Sequence, residues 1–247
     1  MKISTIMTAA LLLTATLLQG CSAVSGKSGG ARKAAEYHAQ LGIGYLQRNR
    51  LVLAKEYLDK AIKHNKNSPT AQHYYALLQE RLGNDKLAGE YFSKAMRKDA
   101  ENPELLNNYG SFLCKVGALE KAQSAFMAAA KNPLYKTPEF AYTNAGICLK
   151  RKGEATQAEA YLRKALSLRA DFPSALFHMA ELSHQQNENA KAQAFLYRYT
   201  EHIPDTPETL LLCYNINVDL RDDVAAQKCA DQLLAKFPRS NEASKLN

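Results

Sequence analysis

The chain has 247 residues, 46% of them hydrophobic, with 12 Gly, 8 Pro and no Trp. That is ample for a packed core, and the abundance of Ala, Leu, Lys, Glu and Gln favours helix. A formal charge of +8 would suit nucleic acid, but the positive residues are spread through most of the chain and its beginning points to export, so no nucleic-acid partner is expected; anionic lipid head groups or an acidic protein surface fit better.

Lys2 precedes a short apolar run, densest over residues 9–18. The run is too short to cross a bilayer, which takes about 20 apolar residues, and charge, apolar core and small residue follow in the order of a cleaved signal. Leu18-Gln19-Gly20-Cys21 resembles the lipobox of bacterial lipoproteins. The resemblance implies a signal peptide over 1–20, lipid attachment at Cys21 and, since Ser22 rather than Asp follows, sorting to the outer membrane. Residues 22–30 hold three Gly and three Ser, so 21–34 is expected to be a lipidated cysteine and flexible tether.

Beyond the tether the sequence repeats. Ala54, Ala88 and Ala122 are 34 residues apart, as are Ala158, Ala192 and Ala226; only the step from Ala122 to Ala158 is longer, by two. Gly42, Ala76, Gly110, Gly146 and Ala180 stand twelve residues before the first five of these alanines, and turn formers five before them: Asn49, Gly83, Gly117, Gly153 and Asn187. This is the tetratricopeptide pattern of two helices and a short turn. The predicted fold is an all-α, right-handed solenoid of six helix-turn-helix repeats at 35–68, 69–102, 103–138, 139–172, 173–206 and 207–240, with a C-terminal tail at 241–247. Tyr214 and Leu233 make the sixth repeat atypical, as terminal repeats often are.

In such solenoids the first helix of each repeat lines a concave face. The register places Ala39, Ile43, Leu46, His73, Leu77, Arg81, Asn107 and Ser111 there, and an apolar stripe of this kind commonly takes a peptide. No catalytic constellation emerges. His178 and His184 are six apart, which is not a helical neighbour spacing, and no nucleophile elbow, zinc-protease or phosphate-loop motif is present. No metal, no cofactor and no enzyme activity are expected. Besides Cys21 there are four cysteines, which allow three pairings. Cys114 and Cys148 fall on first helices of adjacent repeats, and Cys213 and Cys229 on the two helices of the sixth, so both pairs are disulfide candidates in an oxidising compartment; the alternative is four buried thiols.

One block is more specific than the repeat. Asn107-Asn108-Tyr109-Gly110, Phe112-Leu113-Cys114, Pro133-Leu134-Tyr135 and Asn144-Ala145-Gly146-Ile147-Cys148, with the two-residue insertion within residues 131–138, resemble the type IV pilus biogenesis/stability lipoproteins of the PilF/PilW family. The resemblance covers the whole mature chain. It implies an outer-membrane lipoprotein on the periplasmic face that acts as a pilotin, binding the secretin subunit of the pilus and promoting its localisation or multimerisation. The competing expectation is a scaffold lipoprotein of another outer-membrane assembly complex.

Overall fold

The computed structural model describes the backbone of residues 22–246 and the side chains from residue 29 onward. Cys21 and the expected signal peptide lie outside the described residues. Twelve α-helices, and no strand, occur among the described residues: α1 (Ser22–Gln47), α2 (Leu51–His64), α3 (Pro69–Arg81), α4 (Asp85–Met96), α5 (Pro103–Lys115), α6 (Leu119–Lys131), α7 (Pro138–Lys152), α8 (Ala155–Leu168), α9 (Pro173–Gln185), α10 (Asn189–Thr200), α11 (Pro207–Asp219) and α12 (Asp223–Lys236). Odd- and even-numbered neighbours pack as six hairpins, and the chain is an all-α helical-repeat solenoid.

Local chemistry sets these boundaries. Proline opens α3, α5, α7, α9 and α11, where its missing N–H would be unpaired in any case. Ser68, Asn102 and Thr206 cap three of these helices by accepting hydrogen bonds from first-turn amides. Each hairpin turns through one left-handed residue: Asn49, Gly83, Gly117, Gly153, Asn187 and Arg221. The sixth was not readable, because arginine at φ 58° carries a steric penalty that Gly and Asn largely escape.

The regular spacing of small residues along the repeats has a packing cause. A Cβ on Gly42 would sit 2.5 Å from Leu58 Cγ, one on Gly110 2.8 Å from the Phe126 ring, and one on Gly146 2.8 Å from Leu162 Cγ and 3.1 Å from the Ala158 carbonyl oxygen. The paired helices therefore approach through these positions, with the marker alanines fully buried beside them.

The hairpins group into two bodies, divided between Asp99 and Ala100. In the N-terminal body, α1–α4 bury Ala39, Leu46, Ala54, Leu58, Tyr74 and Leu78 in one cluster. In the C-terminal body, α5–α12 form successive clusters around Phe126, Leu162, Met179 and Ile216.

Two expectations need correction. The segment 22–30 is helical, part of α1, rather than a flexible tether. No proline interrupts the helix as it extends back from the packed residues, and Gly29 and Gly30 have open space around them. The C-terminal tail is partly built in as well: a 3-10 turn at Ala243–Lys245 packs Ala243 on Leu210 and Leu233, with Phe237 and Leu246 alongside. Leu233, too large for the repeat consensus, is what this turn covers.

Candidate functional site

The first helices of the repeats present the candidate face, and the structure divides the eight expected residues. In the N-terminal body, Ala39 and Leu46 are core residues of the α1–α2–α3 cluster, and Ile43 and Leu77 pack half-buried on its edge. Arg81 is exposed and donates to Asn49 Oδ1 at 3.4 Å, linking the turns of the first two hairpins. His73 is 4% exposed; desolvation holds its pKa at about 4, so the ring is neutral at neutral pH. In the C-terminal body, Asn107 is buried and its side-chain oxygen accepts from Asn144 Nδ2 at 3.0 Å. Ser111 is half-buried and donates to the Asn107 carbonyl oxygen.

Ala39, Leu46, His73 and Asn107 are therefore corrected from groove-lining to buried positions. They fill the space between neighbouring helices, so only Ile43, Leu77, Arg81 and Ser111 keep surface for a partner. The register assigned a face but could not say how deeply each side chain sits behind its neighbours.

The same face of the C-terminal body carries polar groups that repeat spacing alone did not single out. Lys150 of α7 donates to Glu181 of α9 at 2.5 Å, and His178 Nδ1 lies 2.7 Å from the same carboxylate oxygen. Burial pushes the Glu181 pKa up, but the hydrogen bonds from His178 and Lys150 outweigh it, leaving the carboxyl below its ordinary value. His178 is thus engaged with Glu181 and Lys150, and His184 with Asn189 and Asp219. Among the described residues no group of three or more His, Cys, Asp or Glu could hold a metal ion.

The four cysteines meet in two pairs. Cys114 of α5 and Cys148 of α7 have Cα atoms 5.8 Å apart, and Cys213 of α11 and Cys229 of α12 have theirs 6.0 Å apart, each pair with sulfurs in bonding contact. A cavity of about 380 Å³ opens beside the second pair, floored by Leu196, Leu210 and Ile216.

Stacked helical hairpins with a turn at each left-handed residue define a tetratricopeptide-repeat protein, a class that binds protein partners. The family model for the tetratricopeptide repeat matches residues 149–216. The type IV pilus assembly protein PilF of Pseudomonas aeruginosa is 30% identical over 244 residues, spanning 96% of both chains. A solved structure of that organism's PilF superposes with a TM-score of 0.75 at 29% identity, covering 88% of this chain and 98% of the other. The crystal structure of PilW, described as a widely conserved type IV pilus biogenesis factor, gives 0.79 at 28% identity, covering 86% and 97%. The chain belongs to the PilF/PilW family of type IV pilus tetratricopeptide-repeat proteins.

Proposed function

We propose that the protein is a lipid-anchored pilotin of the outer membrane, acylated at Cys21 and facing the periplasm, which binds the pilus secretin and promotes its localisation or multimerisation there. The observation that carries this reading is family membership over 96% of the chain, together with the lipobox-like Leu18-Gln19-Gly20-Cys21 ahead of the repeats. The work is binding rather than catalysis. All but short segments of residues 35–240 belong to helical hairpins, and their polar clusters are taken up in holding hairpins together. The Lys150–Glu181 pair, for example, ties α7 to α9.

In this reading the secretin segment docks on the first-helix face of the N-terminal body, where Ile43 and Leu77 leave apolar surface beside the Arg81 guanidinium. The two disulfides fix hairpins of the C-terminal body in the oxidising periplasm. The acyl chains set where the complex forms, since one chain gives only marginal membrane binding and several give a firm anchor. A Ser22→Asp substitution tests the address. With retention in the inner membrane confirmed by fractionation, surface piliation should fall; normal piliation from that location would count against the tethered pilotin.

A further inference from the structure

The net charge of the chain is concentrated in one body. Of the Lys and Arg residues, 15 precede residue 100 against 7 Asp and Glu, whereas the remainder of the chain holds 17 of each. The whole formal excess of +8 therefore falls within residues 1–99, +7 of it within residues 22–99 because Lys2 lies ahead of the described helices, and the C-terminal body is neutral. The spread of positive residues seen in the sequence concealed this, because acidic residues are depleted in only one part.

Within the N-terminal body six unpaired cations lie where α2 and α4 end and along the start of α1, while Arg48, Arg50 and Lys86, also without ion pairs, lie at the opposite turns. Lys63 lies in the last turn of α2, Lys66 in the loop to α3, and Arg97 and Lys98 follow α4; all four are exposed. Arg97 and Lys98 are the repeat counterparts of Lys63 and His64, 34 residues on. The His38 and His64 rings stack at 5.2 Å, which places that part of α1 beside the end of α2. Arg32 and Lys33, also exposed, then extend the cluster roughly 8 Å further along α1. None of the six forms an ion pair among the described residues, whereas Lys55 pairs with Asp59 and Lys60 with Glu56. Glu36, held by Gln40, Asp59, paired with Lys55, Asp99 and Glu101 are the carboxylates nearest to them in sequence.

In the C-terminal body, the corresponding loop edge is neutralised in part: Lys131 and Lys136 are exposed without an ion pair, but two other cations there are paired. Arg169 pairs with Glu139 at 3.2 Å, and Lys236 with Asp205 at 2.6 Å. What sets the N-terminal body apart is its excess of basic over acidic residues, which the C-terminal body lacks.

We infer that this edge docks on an anionic phospholipid surface. It carries six cations without acidic partners, it lies on the side from which α1 runs back toward residue 21, and Tyr37, 64% exposed, sits beside it. A tyrosine of that kind suits the head-group layer, where an amphipathic ring has both its environments. From Arg32 to Ser22 the helix spans about 15 Å, so a membrane holding Cys21 lies on this side of the body. Each basic side chain within a Debye length of an anionic bilayer adds about 1 kcal/mol, or roughly fivefold in binding. The edge then acts as a second membrane signal beside the acyl group and orients the repeats. The side of the body facing the bilayer rests on the proposed acylation of Cys21; the affinity for anionic lipid does not.

The test uses the chain from Ser22 onward, which carries every described helix and no acyl group. Sedimentation is measured with vesicles of phosphatidylcholine alone and with about 30% phosphatidylglycerol, at low and high salt. Binding to the anionic vesicles only, abolished by salt, is expected. The triple variant Lys63→Glu, Lys66→Glu, Lys98→Glu should bind at least a hundredfold more weakly (about fivefold for each of three charges). The variant Arg48→Glu, Arg50→Glu, Lys86→Glu, equal in charge but on the opposite turns, should bind nearly as the parent does. Circular dichroism confirms that both are folded. Equal loss in the two variants, or no preference for anionic vesicles, overturns the inference; so does binding of a polyglutamate peptide with none to vesicles, which would make the edge a site for acidic protein. No secretin enters the assay, so its result is separate from that of the pilotin reading.

Discussion

Gly42 and Gly44 lie two residues apart in α1 and should respond oppositely to the same change. Replacing glycine by alanine in a helix interior gains up to about 1 kcal/mol from backbone entropy. At Gly44 an added Cβ meets nothing within 4 Å, so Gly44→Ala should be stabilising by about 0.5–1 kcal/mol. At Gly42 the same methyl would lie 2.5 Å from Leu58 Cγ, 2.7 Å from Leu58 Cδ2 and 3.3 Å from the Leu58 backbone nitrogen. Leu58 is fully buried, so it has little room to swing aside. Overpacking of this kind costs about 1–3 kcal/mol, which exceeds the helical gain and leaves Gly42→Ala about 1 kcal/mol or more less stable than the parent. The two variants should therefore differ by about 2 kcal/mol, or roughly 1 M in urea midpoint for a denaturant slope near 2 kcal/mol/M. Urea unfolding followed by circular dichroism reads this directly. If Gly42→Ala were as stable as Gly44→Ala, α1 and α2 would not meet through Gly42, and the packing argument for the small-residue spacing would fall.

The His73 imidazole, held by burial at about 4, gives a signed pH dependence. Its folded pKa lies below the unfolded value, so the stability it contributes is complete above pH 6.5 and declines as the pH falls toward 4. The loss is about 2 kcal/mol by pH 5, and His73→Leu should show a shallower decline in urea midpoint between pH 7.5 and 5; parallel declines would exclude the buried neutral ring. Arg221→Gly should raise stability by about 1 kcal/mol by relieving the left-handed backbone, measured by the same unfolding assay, and a loss would mean that the arginine side chain contributes more than the strain costs. In the protein isolated from the cell envelope without reductant, alkylation should leave Cys114, Cys148, Cys213 and Cys229 unmodified and should label all four after reduction and unfolding; labelling of a pair without reductant would mean that this pair is not bridged.

The repeats were legible because a 34-residue period imposes the same packing problem each time, and the chain answers it with the same residue types: small at Gly42, Gly110 and Gly146, proline at the helix starts, glycine or asparagine at the turns. Legibility ended where neighbours override local preference. Arg221 adopts a left-handed turn that its side chain disfavours, because the hairpin it closes requires it. The segment 22–30 reads as a tether by composition yet continues α1, since helix propagates from packed residues until something stops it. At the candidate face, the register found the correct helices but not the depth of each residue. His73 and Asn107 are polar, and polar residues at such positions read as exposed, whereas burial here is compensated by neutrality in one case and by the Asn144 hydrogen bond in the other. The Lys150–His178–Glu181 cluster joins residues up to 31 apart, and only the stacking of α7 on α9 brings them together.

The pilotin reading is tested most directly on the secretin itself. Membranes from cells with and without this protein would be separated into inner and outer fractions, and the secretin run in SDS without boiling. Loss of the SDS-resistant multimer, or its shift to the inner membrane, in cells lacking the protein is the expected result. An unchanged amount and location of the multimer would contradict a role in secretin assembly and place the protein at another step of pilus biogenesis.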